Sequence, residues 1–117
     1  MQLKKTTLKK MVCEPCGKGA LIISPLEKIE LIVELPNWQL VTKEEVERLQ
    51  RVYIFKNFLQ AMEFTNKVGL LAEAYDHHPE ITVKWGEVTV VWWTHSVNGL
   101  HKNDFILSSK TDELYDH

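Results

Sequence analysis

The fold is decided by residues 57–95, NFLQAMEFTNKVGLLAEAYDHHPEITVKWGEVTVVWWTH, where a helical period of apolar side chains gives way to an alternating one. In the first half, apolar residues recur three or four positions apart: Phe58, Ala61 or Met62, Thr65, Val68, Leu71 or Ala72, and Tyr75. This spacing predicts a helix over 57–75. A stripe of this kind is far more typical of core packing than of a cofactor site.

After Pro79 the pattern becomes that of a β-hairpin over 80–95. Apolar and polar residues alternate on both sides of Gly86-Glu87, which predicts two strands joined by a two-residue turn with glycine in the left-handed region. The opposite face of the second strand is also largely apolar, with Thr89, Val91, Trp93 and His95. Such a sheet face predicts self-association or a ligand cleft.

The flanking segments complete the predicted architecture. Ser24-Pro25-Leu26-Glu27 forms a capping box with proline in the first turn, which predicts a helix near 25–35 that ends at Pro36. A hairpin should follow, with strands near 38–41 and 51–55 and with 42–45 as its turn or as one helical turn. A last helix is predicted over about 102–115. The expected fold is therefore α+β, a four-stranded antiparallel sheet with helices packed on one face.

Length and composition favour one globular domain. The chain has 117 residues, of which 44% are hydrophobic and 26% are charged. The formal net charge of −2 provides no general basic field that could hold nucleic acid. No stretch approaches the roughly 20 apolar residues of a membrane span. Lys9 and Lys10 interrupt any signal-peptide core, so we expect no membrane partner and a cytoplasmic location.

The start of the chain differs from the rest. Residues 1–19 contain five lysines and one acidic residue, so we interpret 1–23 as a flexible basic arm and 24–117 as the domain. Cys13 and Cys16 in this arm form a C-x-x-C pair. The pair could be half of a zinc site or a redox pair. It could also be two reduced thiols in a mobile segment, which the following Gly17 and Gly19 favour.

Three histidines are candidates for chemistry. His77 and His78 directly follow the long helix, and Pro79 forces His78 into an extended conformation. Glu73 stands one helical turn before His77, within reach of an imidazole. His95 ends the second hairpin strand and should return to the same edge, because an antiparallel pair brings the end of one strand beside the start of the other. Three imidazoles there could act as acid and base near neutral pH.

Two other interpretations of these histidines stay open. They could form a metal triad, with or without Glu73, although the H-x-H, H-x₃-H and H-E-x-x-H spacings are absent. They could also be structural, with His77 capping the helix, His78 merely preceding proline, and His95 bonding the backbone. His101 and His117 are expected to be surface residues.

Several motifs resemble those of the pterin-4a-carbinolamine dehydratase family. Glu73-Ala74-Tyr75-Asp76-His77-His78-Pro79 looks like its E-x-x-x-H-H-P signature, and Trp92-Trp93-Thr94-His95 looks like its strand ending in Thr-His. Gly99-Leu100 followed by Asp104 resembles the family's helix entry. The long helix matches at the family's spacing, with Phe55, Phe58, Ala61, Phe64, Val68 and Ala72. The chain departs at Val83 and Trp85, where the family often has Asn and Tyr, and at His101, where Ser or Thr usually caps the last helix.

The resemblance implies a lyase that removes water from a 4a-hydroxytetrahydropterin in tetrahydrobiopterin recycling, with neither a metal nor another cofactor. It implies acid–base roles for His77, His78 and His95, with Glu73 orienting an imidazole. It also implies substrate contacts by Pro79, Thr94, Asp104 and Trp85. A homodimer or homotetramer is expected. The alternative is a non-catalytic binding or assembly module of the same fold, a partner of a pterin- or molybdopterin-related protein or of a transcription factor.

Overall fold

The computed structural model describes Leu8, Met11, Cys13 and residues 21–115. Its helices are α1 (Pro25–Ile32), α2 (Phe58–Tyr75) and α3 (Lys102–Leu114), and its strands are β1 (Gln39–Lys43), β2 (Val46–Ile54), β3 (Glu80–Lys84) and β4 (Glu87–Trp92). All strand pairs are antiparallel, in the order β1-β2-β4-β3. The predicted α+β class is confirmed. Among the described residues, no helix combines the length and apolar character that crossing a membrane requires.

The first hairpin has a tighter turn than the sequence predicts. Lys43 pairs with Val46, so the turn consists of Glu44 and Glu45 alone, and no helical turn forms there. Both turn residues have positive φ, 52° and 66°. Two left-handed residues match the right-handed twist of the flanking strands, which is why hairpins use this turn despite its cost for residues other than glycine.

The second hairpin turns one residue earlier than predicted. Lys84 pairs with Glu87, so the turn is Trp85-Gly86 and the Gly86-Glu87 prediction is wrong. Gly86 also does not adopt the expected left-handed φ. Its lack of a side chain instead lets the backbone of Phe55 approach closely, because a Cβ on Gly86 would lie 3.1 Å from the carbonyl oxygen of Phe55. The Gly86 carbonyl accepts a hydrogen bond from the Phe55 N–H at 2.9 Å.

One face of the sheet carries the core. The strand register places five fully buried side chains on this face: Leu49, Tyr53, Val88, Val90 and Trp92. The α2 helix contributes a narrower stripe than predicted, made of Ala61, Phe64, Val68 and Ala72. Phe58 at its start is 49% exposed. The α1 helix contacts the same face through the ion pair of Lys28 with Glu47. The α3 helix contacts it through Thr111, whose hydroxyl accepts a hydrogen bond from Trp92 Nε1. The core therefore lies between this face and the helices.

The opposite face of the sheet has the apolar character that its sequence predicts. Val91 is buried among its neighbours, whereas Val52 and Ile54 are 43% and 58% exposed. Since residues two apart share a face, Val52 and Ile54 lie together there.

The α3 helix is buried along most of its length, and its cap is a correction to the sequence prediction. His101 is only 6% exposed rather than a surface residue. Its Nδ1 accepts from the Asn103 N–H at 2.9 Å, while Asp104 Oδ2 accepts from the His101 N–H at 2.9 Å. An imidazole thus forms the capping box that Ser or Thr usually provides. His117 lies outside the described residues.

The carboxylate of Asp112 joins the end of α3 to the rest of the domain. It accepts from Trp38 Nε1 at 3.0 Å, from Arg51 Nη1 at 2.7 Å and from the Tyr53 hydroxyl at 2.5 Å. Burial and the nearby charge of Asp112 raise the pKa of Tyr53 well above its usual value. The Tyr53 phenol therefore stays a neutral donor.

Some residues before Ser24 pack against the domain. Leu8 and Ile23 are 1% and 9% exposed and belong to the core. The Leu8 N–H lies 3.4 Å from Glu34 Oε1. Most of the predicted basic arm, including its lysines and Cys16, lies outside the described residues.

Candidate active site

The three candidate histidines meet at one end of the sheet. A cleft of about 230 Å³ is lined by residues that follow α2 and β4: Asp76, His77, His78, Trp93, Thr94, His95 and Ser96. The antiparallel pairing of β3 with β4 explains the meeting, since β3 begins just after His78 and β4 ends just before Trp93. The structure therefore brings His77, His78, Thr94 and His95 together, as the sequence predicts.

The chain reverses sharply where α2 ends. Asp76 caps the helix in the left-handed conformation, with φ 50° and ψ 44°, and its N–H bonds the carbonyls of Ala72 and Glu73. The N–H of His77 bonds the Ala72 carbonyl at 3.1 Å. This pattern is typical of helices that end in a left-handed residue. The reversal turns the His77 side chain inward toward β4 and α3.

His77 occupies the buried side of the cleft, where it is 8% exposed. Its Nε2 lies 2.8 Å from Asp104 Oδ1 and 3.2 Å from the Trp93 carbonyl oxygen. Both oxygens are acceptors, so Nε2 carries a hydrogen. Burial lowers the pKa of His77, but the hydrogen bond and charge of Asp104 and the Trp93 carbonyl more than offset it, so the pKa is raised above 6.5.

Asp104 organises the buried side rather than facing the cleft. It is fully buried and accepts from His77, from the Thr94 hydroxyl at 2.7 Å and from the His101 N–H. Its carboxylate is enclosed by protein donors, and the substrate contact expected of Asp104 stays a prediction. In the sequence, the capping-box position of Asp104 after Gly99-Leu100 marks it as a candidate residue. No spacing pattern pairs Asp104 with His77.

His78 lines the exposed side of the cleft, and Glu73 lies beside it. His78 Nε2 lies 2.5 Å from Glu73 Oε2, and the two side chains are 55% and 74% exposed. The prediction that Glu73 orients an imidazole is consistent with this contact, but its partner is His78 and not His77. Helical spacing stops applying at Asp76, where α2 ends. Pro79 follows and keeps His78 extended.

His95 lines the cleft from the segment that follows β4, in a short 3₁₀ turn, His95–Val97. The turn is held by the Thr94 N–H bonding the Gly99 carbonyl at 2.8 Å, and by Asn98 in the left-handed region. The His95 ring packs against Trp93, with the ring centroids 4.8 Å apart. His95 is exposed, so its imidazole is open to a ligand in the cleft.

Trp85 does not join this site. It lies in the β3–β4 turn and is 70% exposed. Pro79 and the five residues of β3 separate Trp85 from His78 by roughly 23 Å, at about 3.3 Å per residue. The structure therefore does not bring Trp85 to this cleft within one chain, and its contact with a substrate stays a prediction. Pro79 is not among the residues that line the cleft.

A second, larger cleft of about 940 Å³ lies beside the C-terminal end of β2, the start of α2 and the end of α3. Phe55, Phe64 and Tyr115 form its aromatic floor, and Lys56 and Lys67 stand among its lining residues. It contains no histidine among the described residues, and its Asp112 is already held by three donors. Proton-transfer groups therefore favour the smaller cleft as the active site.

The structure also bears on metal binding. Within residues 21–115 and the three earlier residues described, no three His, Cys, Asp or Glu side chains are gathered to hold a metal ion. The C-x-x-C pair is not fully described, because Cys16 is outside these residues.

A family model described as "Pterin 4 alpha carbinolamine dehydratase" matches residues 24–114. The chain belongs to the pterin 4 alpha carbinolamine dehydratase family. The resemblance carried by the sequence motifs is thus confirmed.

Two relatives are similar over most of the chain. One, named "Putative pterin-4-alpha-carbinolamine dehydratase" from Marinobacter nauticus, is 52% identical over 103 residues, which cover 88% of this chain and 93% of the relative. Another of the same name, from Nitrosococcus oceani, is 50% identical over 110 residues, covering 94% and 97%.

A solved structure supports the fold of this pterin 4 alpha carbinolamine dehydratase family member. The crystal structure of a "transcriptional coactivator/pterin dehydratase" from Brucella melitensis is 30% identical, with a TM-score of 0.74. The match covers 82% of this chain and 100% of the Brucella chain.

Proposed function

We propose that the protein is a hydro-lyase that removes water from a 4a-hydroxytetrahydropterin and gives the quinonoid dihydropterin. The observation that carries the proposal is the meeting of His77, His78 and His95 at one cleft. The three imidazoles stand in different surroundings, since His77 is buried while His78 and His95 are exposed. Family membership supplies the substrate class.

The reaction suits paired imidazoles. The C4a–O bond breaks, and the leaving oxygen takes a proton so that it departs as water rather than hydroxide. The N5–H proton is removed, and its electron pair forms the new N5=C4a double bond. The reaction has no net oxidation. One acid and one base therefore provide the proton transfers that the reaction needs, and an imidazole can serve as either.

The exposed histidines are the proposed proton-transfer groups. Glu73 accepts a hydrogen bond from Nε2–H of His78 and so orients the ring, which leaves Nδ1 as the nitrogen able to exchange a proton with substrate. His95 lines the same cleft from the segment that follows β4. Two separate imidazoles suit a reaction in which one site gains a proton and another loses one.

The buried pair supports this arrangement. Asp104 binds His77 and Thr94 together, and therefore ties the end of α2 to the end of β4. We propose that His77 contacts the substrate from a fixed position. The cleft volume of about 230 Å³ is below the ~300–1,000 Å³ of pockets that enclose drug-sized ligands. The cleft would hold the pterin ring and leave its substituent in solvent.

The test is dehydration of a hydroxylase-generated 4a-hydroxytetrahydropterin, followed by absorbance. Replacing His78 or His95 by Ala should lower kcat by roughly 10²–10⁴-fold. His101→Ser is the matched control, because it removes a histidine outside the cleft and keeps a capping side chain. Turnover by His78→Ala and His95→Ala equal to that of wild type would refute the proposal.

Assembly is a further part of the proposal. We propose a homodimer or homotetramer, which the exposed Val52 and Ile54 on the helix-free face support. Light scattering on the purified protein measures the mass directly. A non-catalytic module is the competing function, and the name of the Brucella protein pairs coactivation with dehydration. Absence of turnover in the wild-type assay would favour that alternative.

A further inference from the structure

Arg48 is a buried cation on the helix-free face of the sheet. It is 7% exposed, although arginine is seldom buried without good charge pairing. Its Nη2 donates to the Lys43 carbonyl at 3.1 Å. The Glu44 carboxylate lies 3.9 Å away but is 81% exposed, so this ion pair is worth little. Arg48 Nε has no hydrogen-bond partner in the described part of the chain. Polar contacts alone therefore do not account for the burial of this charge.

The guanidinium of Arg48 stacks on Trp93. Its Cζ lies 4.0 Å from the centroid of the indole ring. The register that pairs Leu49 with Trp92 continues by one residue to place Arg48 opposite Trp93 on the same face. A planar guanidinium over an indole is a favourable cation–π contact, and it restricts the orientation of the ring.

Trp93 connects Arg48 to the histidine cleft. Trp93 is one of the residues that line the cleft, and its indole packs against the His95 ring, with the centroids 4.8 Å apart. Its backbone carbonyl accepts from His77. Since Arg48 covers one face of the indole, the rest of the ring is left to His95 and the cleft. Arg48 therefore stands behind one wall of the proposed active site.

We propose that Arg48 is a positioning residue that holds the Trp93 indole as the wall against which the flat pyrimidinone ring of the pterin packs. This inference rests on the proposed function, because it names the wall that receives the substrate. Arg48 touches no reacting atom. Its loss should therefore weaken substrate binding and leave the proton transfers intact.

The first test is the split between KM and kcat. Arg48→Met removes the charge and the planar group but keeps an extended side chain. We expect KM for the 4a-hydroxytetrahydropterin to rise about 5- to 30-fold, with kcat changed less than about twofold. Arg48→Lys keeps the cation without the plane, so its KM should fall between those of Arg48→Met and wild type.

Arg51→Met is the matched control. Arg51 lies on the same strand and also stacks on an aromatic ring, with Cζ 4.3 Å from the centroid of Tyr53. It faces the core side of the sheet, where it bonds Asp112, and it does not line the histidine cleft. Arg51→Met should lower stability without raising KM. A KM for Arg48→Met equal to that of wild type would overturn the inference and leave the dehydratase proposal standing.

Binding of 7,8-dihydrobiopterin, which cannot lose water, separates the two proposals. If wild type binds 7,8-dihydrobiopterin but does not dehydrate the carbinolamine, the proposed function fails. In that case a raised Kd of Arg48→Met for 7,8-dihydrobiopterin supports the positioning role of Arg48, and an unchanged Kd overturns that role. If wild type neither binds nor turns over, both proposals fail. If Arg48→Met does not fold, Arg48→Lys decides, and a KM equal to that of wild type would overturn the positioning role.

Discussion

The pairing of His77 with Asp104 makes the stability of the protein depend on pH. Burial lowers the pKa of His77, but the hydrogen bond and charge of Asp104 raise it to above 6.5 overall. A pKa that is higher in the folded state means that protonation favours folding. The stabilisation is fully present below the unfolded-state value of 6.5 and is lost as the pH rises through the folded-state pKa.

Asp104→Asn tests this pairing, because it keeps the size of the side chain and removes its charge. We expect the free energy of unfolding to fall by about 2–4 kcal/mol at pH ~5.5, and by less at pH ~8. The pKa of His77, followed by NMR of its ring proton, should fall as well. Thr94→Val is the control, since it removes one hydrogen bond from Asp104 but no charge. An unchanged His77 titration in Asp104→Asn would contradict the assigned pairing.

The same residues show how far sequence reasoning reaches. The E-x-x-x-H-H-P and Thr-His motifs were enough to predict which imidazoles meet. They were not enough to assign the carboxylates, because His77 and Asp104 are 27 positions apart. Helical spacing predicts Glu73 beside His77, but the left-handed Asp76 ends α2 first. Local spacing thus predicts partners within an element and fails across its cap.

At the scale of elements, the turn between β1 and β2 carries local strain. Glu44 and Glu45 have φ of 52° and 66°, which cost residues other than glycine roughly 1–2 kcal/mol each. The second position of such a turn is the one that most favours glycine.

Glu45→Gly should therefore stabilise the protein by about 0.5–1 kcal/mol, after the larger entropy of glycine in the unfolded chain is subtracted. Urea unfolding measures the gain. Glu45→Ala is the matched control, because it removes the same charge and keeps the Cβ that makes the left-handed φ costly. Equal stabilisation by both substitutions would assign the effect to charge and contradict the strain.

The second hairpin shows why turn positions are harder to predict than strands. Alternation predicted both strands, yet Trp85-Gly86 rather than Gly86-Glu87 forms the turn. The glycine is placed by a contact from another element, the carbonyl of Phe55. That contact depends on the β2–β4 pairing, which composition and periodicity do not specify. The consequence for the site is that Trp85 lies far from the cleft.

At the scale of the whole molecule, Asp112 links α3, β2 and the segment after α1. Asp112→Ala would leave Arg51 without its ion-pair partner and remove the acceptor of Trp38 and Tyr53. We expect a loss of about 2–4 kcal/mol in the free energy of unfolding, reduced from that of a fully buried pair because Asp112 is 28% exposed. Denaturant unfolding measures this loss. KM should not change, since none of these residues lines the histidine cleft, and a raised KM would contradict that separation.

The central claim is that His78 and His95 act as one acid–base pair on a pterin carbinolamine. The most direct measurement is the dehydration rate of wild type, His78→Ala, His95→Ala and the double variant under identical conditions. Groups that act as a unit are not additive, so the double variant should be about as slow as the slower single variant, roughly 10²–10⁴-fold below wild type. Rates that do not differ among the four proteins would contradict the account.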